Sequence, residues 1–287
     1  MIKKDIKFET ENNVKYVKFG IFDEYQNDII STYSTKIGGV SNGIYESMNL
    51  NFYLGDSEEN VLENYKIYSN AIGVDYTKLV FSDQCHNNNI RIVTEDDIGK
   101  GIIKEKDYQD IDGLITNIKG IGLVTLHADC APLYFYDPIK KVIGLAHAGW
   151  KGTAMEIAGK MIDVMKNNFG TNPEDLLVAV GPSICGKCYE IGEEVKEEFD
   201  KMSIDVSEYI SFDEKSQKYF PDISLINRKL VIDKGVKPEN VTVSDICTMT
   251  NLDIFFSHRG HKGKRGSQAA VMQLKIDANY ESTIQRR

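Results

Sequence analysis

The chain has 287 residues, 41% hydrophobic and 27% charged, with a formal net charge of −9. Such a chain is long enough to bury a core without staples, and its acidity excludes a sequence-independent grip on nucleic acid and disfavours anionic membranes. The opening MIKKDIKFETENN lacks an apolar run for a signal peptide, and no later segment reaches membrane-spanning length, so the expectation is a cytoplasmic protein. Five cysteines in that setting predict free thiols or metal ligands over disulfides. The basic runs at 258–265 and Gln285-Arg286-Arg287 are too short to change the balance.

In chain order, residues 6–9 and 14–19 flank Glu11-Asn12-Asn13 and read as a hairpin. A strand at 29–34 runs into the glycine-rich 35–43, which carries Lys36 and reads either as an anion seat or as a turn made flexible by glycine. Val61, Tyr65, Tyr68 and Ile72 recur at a helical period over 58–72, with Asp56 or Ser57 to cap the start and Gly73 the end. Short strands follow at 79–81 and 90–94, and the charged stretch 95–112 reads as a surface excursion. Thr153 and Glu156 have the form of a capping box for a helix ending at Gly170. Later come a strand at 176–180, a charged helix at 193–201, a polar loop at 203–219 and a helix from Asp222 to Asp233. Strands at 241–244, 254–256 and 269–276 close the chain. With no repeat, low-complexity tract or linker, one domain of mixed α and β over residues 1–287 is the economical reading.

Residues 120–153 hold the densest chemistry: apolar strand, polar elbow, second strand, turn, third strand, then a glycine-rich exit into a helix. His127, Cys130 and His147 stand at the ends of those strands, where buried backbone holds a side chain that still faces solvent. His86 and His258 also follow predicted strands, whereas His261 lies in the basic run. One reading is a zinc site from His86, Cys130 and His147, since imidazole and thiolate suit zinc and three protein ligands leave a fourth position open. Asp129 would then orient a ligand or move protons. A second reading pairs Cys130 as nucleophile with His147 as base, and Cys130 cannot serve both. Cys185-Gly-Lys-Cys188 is half of a CxxC pair with no second half, which favours an incidental role, and Cys247 reads as a core thiol. Phe255, Phe256 and Arg259 offer stacking and anion binding, or simply an edge strand with solvated charge. Trp150 is a substrate platform or core packing.

HADCAPLYFYDP, GLAHAGWKGT, GPSICGKCYEIGEEV and SHRG…GSQAAVM, in that order, closely resemble the YfiH-type proteins, once called multicopper polyphenol oxidases or laccase-domain proteins. The match covers about residues 34–274. The resemblance implies a single α/β/β/α domain of two packed sheets flanked by helices. It implies one zinc held by His86 of a Q-x-H motif, Cys130 of A-D-C and His147 of A-H-A-G-W. It further implies phosphorolysis of adenosine, inosine, guanosine or methylthioadenosine to base and ribose 1-phosphate, with adenosine deaminase activity besides. Lys36 and Arg259 become the expected phosphate contacts, although Lys36 stands where the family has arginine and loses the bidentate fork. Gly260 and His261 replace an arginine and an acid, and Cys85 replaces an apolar residue. The older oxidase reading puts copper at the same ligands, but five histidines are too few for several coppers. A link between such proteins and peptidoglycan editing would imply a hydrolase of muropeptide-like substrates, and a non-catalytic accessory factor needs no chemistry at the trio at all. The sequence sets no oligomeric state.

Overall fold

A computed structural model describes residues 5–276. The basic Gln285-Arg286-Arg287 lies outside them. A hairpin of β1 (Ile6–Glu11) and β2 (Val14–Phe19) turns at Asn12 and Asn13, both left-handed, a conformation asparagine tolerates. After β3 (Ile29–Ser34), α1 (Glu58–Ile72) starts at Ser57, whose hydroxyl accepts from the Asn60 amide, and stops at left-handed Gly73. Short strands β4 (Leu79–Phe81), β5 (Ile90–Ile92) and β6 (Gly113–Thr116) follow. Then β7 (Gly122–His127), β8 (Ala131–Asp137) and β9 (Val142–Ala148) run directly into α2 (Trp150–Ala154) and α3 (Ile157–Phe169). Beyond β10 (Leu177–Val180) come α4 (Glu193–Asp200), the hairpin β11 (Ile210–Asp213) and β12 (Lys218–Pro221), and α5 (Ile223–Asp233). The short β13 (Val241–Val243) and the long β14 (Gln268–Leu274) complete two six-stranded sheets.

One sheet has the order β1-β2-β3-β14-β7-β4 and the other β13-β10-β8-β9-β6-β5. The two-residue alternation of the strands explains why they stack. In β8, Tyr134 and Tyr136 point into an inter-sheet core while Leu133 and Phe135 point the other way. In β14, Ala270, Met272 and Leu274 face that inter-sheet core, and Ala269 and Val271 face outward. Each outward apolar face then needs cover. α1 covers the first sheet with Val61, Tyr65 and Tyr68. α3 and α5 cover the second with Met161, Met165, Ile226 and Leu230. The result is the α/β/β/α layering expected from the resemblance.

Four local expectations give way. Thr153 and Glu156 form no capping box: Thr153 lies inside α2, and Glu156 is left-handed, its carboxylate taken by the Ser203 amide and hydroxyl. Residues 203–219 are not all loop, because β11 and half of β12 fall there. Residues 254–256 form a turn, and Phe255 and Phe256 are fully buried, which removes them as a stacking surface. The stretch 95–112 is no mere excursion, since Asp97 and Asp112 are wholly buried.

Candidate metal centre

The site lies where the elbow between β7 and β8, the end of β9 and the segment after β4 converge. The His86 and His147 ring nitrogens and the Cys130 Sγ all fall within 4.8 Å of one another. The two imidazoles meet edge to face, centroids 4.8 Å apart. β8 and β9 pair with Ala131 opposite Ala148, so Cys130 and His147 arrive as neighbours by register. His86 arrives from the other sheet, where β4 runs parallel to β7. The Gln84 side chain accepts from the Leu126 amide and donates to its carbonyl, both at 2.7 Å, extending the ladder past the strand end and fixing where His86 stands. His86 itself is left-handed, φ 66°. Gly149 completes the close approach, for a Cβ there would sit 2.9 Å from the His86 ring and 3.0 Å from the Cys130 sulfur.

Asp112, which no sequence motif marked, ties these segments together. Its carboxylate accepts from the backbone amides of Cys85, His86 and Asn87 at 3.0–3.1 Å, and from His147 Nδ1 at 2.8 Å. The His147 amide in turn donates to the Asp112 carbonyl. A carboxylate on Nδ1 fixes the ring's tautomer and leaves Nε2 as the ligand atom. Burial on its own raises the Asp112 carboxyl, yet His147 and the amides hold it below the usual carboxylate range. Withdrawal from water likewise raises a thiol, but His147 and His86 outweigh it at Cys130 and bring it down to about 6. Burial lowers His147, while Cys130 and Asp112 overcome this and raise it to about 9. Without a metal the trio is thus a thiolate beside a protonated His147. With the Nε2 proton displaced by a metal, its one sulfur and two imidazole nitrogens, one ring oriented by a carboxylate, fit a tetrahedral zinc with an open position.

The remaining sequence candidates sort themselves by their contacts. His127 is no ligand: Nε2 meets the Thr125 hydroxyl at 2.7 Å and Nδ1 the Cys130 carbonyl at 3.1 Å, and burial holds its pKa well below normal. Asp129, left-handed at φ 88°, accepts from the Thr248 hydroxyl at 2.6 Å and the Arg259 amide at 2.7 Å. It is an anchor for the Arg259 segment. Arg259 lies over the Tyr189 ring at 5.5 Å and lines a cavity of about 670 Å³ that contains the metal trio. Trp150, Tyr53 and Tyr189 give that cavity aromatic walls, and Lys106 and Arg265 add cations. The buried Nε of Arg265 has no hydrogen-bond partner. Only its place in the basic run 258–265 signalled it.

Lys36 is not among the residues lining this cavity. Its glycine-rich loop is no anion seat either: Ser47 Oγ accepts from the amides of Gly38 and Gly39, and Asn64 Oδ1 from that of Val40. Cys85 stands outside the trio, with Asn87 donating to its sulfur, and partial desolvation together with the Asp110 and Asp112 carboxylates pushes its thiol up to about 12.

These features define an α/β/β/α protein with a candidate metal site at the end of its strands. Residues 31–275 match the family described as multi-copper polyphenol oxidoreductase laccase, and the chain belongs to that family, the YfiH-type proteins. A Bacillus subtilis relative named purine nucleoside phosphorylase YlmD is 34% identical over 257 residues, 88% of this chain and 91% of the relative. The crystal structure of Bacillus licheniformis YfiH matches with a TM-score of 0.86 at 30% identity, covering 93% of this chain and 99% of the other. The crystal structure of YlmD from Geobacillus stearothermophilus matches with a TM-score of 0.85 at 29% identity, over 94% and 99%.

Proposed function

We propose that this chain is a zinc-dependent purine nucleoside phosphorylase. The observation that carries the reading is the trio His86, Cys130 and His147 set in the wall of a nucleoside-sized cavity with aromatic and cationic sides. The names of the relatives agree with it. Phosphorolysis breaks the bond from C1′ to the purine and forms one to a phosphate oxygen, so the protein must hold an anion and a flat aromatic base beside the same sugar. Arg259 and Arg265 are our candidates for phosphate, taking the place expected for Lys36, and Trp150 and Tyr189 for the base. When bound, zinc supplies Lewis acidity toward a substrate oxygen. Asp112 keeps His147 pointed at the ion, and Asp129 keeps the Arg259 segment against the cavity. The resemblance extends the proposal to deamination of adenosine in the same cavity, read as ammonia release without phosphate.

Histidine placement favours one zinc over several coppers. His127 has both ring nitrogens engaged, His261 Nδ1 lies 3.1 Å from the Ser257 carbonyl, and only His86 and His147 join the thiol. The test is Cys130→Ala, assayed with inosine and phosphate alongside metal analysis. We expect loss of bound zinc and of ribose 1-phosphate formation, with circular dichroism unchanged. Full turnover by the metal-free variant refutes the assignment.

A further inference from the structure

The CxxC half-site acquires a third thiol through the topology of the second sheet. β10 and β13 pair in parallel, Val178 with Val241 and Val180 with Val243. The segments leaving their C-terminal ends therefore start side by side and stay so: Ser183 bridges with Cys247, and the Thr248 amide donates to the Ser183 carbonyl at 3.0 Å. Cys185-Gly-Lys-Cys188 then turns back on itself, with the Cys188 amide 2.9 Å from the Cys185 carbonyl. The three sulfurs of Cys185, Cys188 and Cys247 come to lie within 4.8 Å of one another.

We propose that Cys185, Cys188 and Cys247 form a second metal site, in which three thiolates hold one thiophilic d10 cation, Zn2+ or Cu+. A Zn–S bond of about 2.3 Å sets the edges of a tetrahedron at about 3.8 Å, inside the observed spread of the sulfurs. The backbone amide of Cys185 donates to Cys247 Sγ at 3.3 Å, a bond that favours the charged thiolate. With sulfur at all three corners and no imidazole, this site is softer than the His86, Cys130 and His147 centre. Cys185 and Cys247 also line a cavity of about 680 Å³, bounded further by Tyr209, Ser244 and Thr250, which leaves a fourth corner for water or a small exogenous ligand. On binding, three thiol protons pass to solvent and no oxidation state changes.

Such an ion staples one wall of the nucleoside cavity. Ile184 and Tyr189 flank the cysteines and line that cavity, and the Ile184 amide donates to the Asp129 carbonyl at 2.9 Å. The proposal does not rest on the nucleoside reading, and its test silences the first centre. The full-length Cys130→Ser chain, reduced and stripped with chelator, is titrated anaerobically with Co2+ as a spectroscopic stand-in for zinc, then separately with Zn2+ and with Cu+. We expect one equivalent bound, with the near-ultraviolet thiolate-to-cobalt band of several sulfurs, and both lost when Cys247→Ser or the more exposed Cys185→Ser is added. Chelator competition between Zn2+ and Cu+ then ranks the two ions. Circular dichroism checks that each variant folds. No uptake by the reduced Cys130→Ser chain, or uptake that survives both further substitutions, overturns the site.

Discussion

Asp97 and Asp112 belong to one charged stretch and are equally buried, with no exposed surface at either, yet they serve different ends. Asp97 is met by cations: Arg91 at 2.7 Å and Lys100 at 2.9 Å, with the Thr94 amide at 3.0 Å. Asp112 is met by amides and an imidazole. The first closes a charge pair that joins β5 to the turn after it, which is architecture. The second directs its negative charge at three backbone dipoles and at a ring of the candidate metal trio, so its position governs that trio's geometry. Burial alone does not separate a structural carboxylate from a functional one; the identity of the donors does.

The largest effect we expect tests the structural member. Asp97→Ala leaves Arg91 and Lys100 without their shared anion, and breaking a buried pair costs about 3–5 kcal/mol. The loss should fall near the low end, about 3 kcal/mol, because Lys100 keeps Asp107 and Arg91 is partly exposed. Urea unfolding measures it, and zinc content should stay at the wild-type level. The same residue sets an acid limb. Burial raises its carboxyl, but Arg91 and Lys100 prevail and hold it at about 2. A depressed folded-state pKa contributes stability above the unfolded value, and that contribution is lost as pH falls from about 4 through about 2. About 2 kcal/mol should disappear over that window in the wild type and not in Asp97→Asn. An identical acid limb in the variant would assign the instability to other carboxylates.

Asp112→Asn probes the functional member. An amide has one acceptor oxygen, so its NH2 must face either the Cys85 and Asn87 amides or the His86 amide and His147 Nδ1, and all of these are donors. Loss of such a partner typically costs about 10–100-fold in metal affinity or activity. Chelator competition should show that fall while the urea midpoint moves less than in Asp97→Ala. Should the two variants exchange effects, with Asp97 governing zinc and Asp112 only stability, the roles assigned to the two carboxylates are reversed.

What the sequence shows and hides follows from the same contrast. The segment 120–153 is legible because β7, β8 and β9 are buried and mostly apolar, and a histidine or cysteine at the end of such a strand stands out. Asp112 is hidden among Asp107 and Asp110, and only the pairing of Gly113 with Ala146 brings it under His147. Arg265 and Cys247 are hidden for a like reason, since the cavity that Arg265 lines and the thiols beside Cys247 are built from segments distant in sequence. The Thr153–Glu156 pattern misleads because α2 ends at Ala154 and the chain must turn through a left-handed Glu156 to start α3. Phe255 and Phe256 mislead because an apolar pair beside basic residues looks like a binding surface, whereas Phe255 packs against Tyr33 in the inter-sheet core.

A third aspartate places the contrast on a scale. Asp129 has its oxygens on the Thr248 hydroxyl and the Arg259 amide. Asp129 lines the cavity itself; if its influence on substrate passes through Arg259, a change one step behind it should be smaller than either effect above. Thr248→Val keeps the shape of a wholly buried side chain and deletes one hydrogen bond to Asp129. A hydrogen bond to a charged group contributes about 1.5–3 kcal/mol, but the freed Asp129 oxygen borders the cavity and regains water, which brings the net loss to about 1 kcal/mol. If Arg259 contacts phosphate, that loss appears as about a fivefold rise in the KM for phosphate, with zinc content and the KM for nucleoside near wild type. A rise confined to the nucleoside instead would move Arg259 from the phosphate to the base, and leave Arg265 as the anion's main contact.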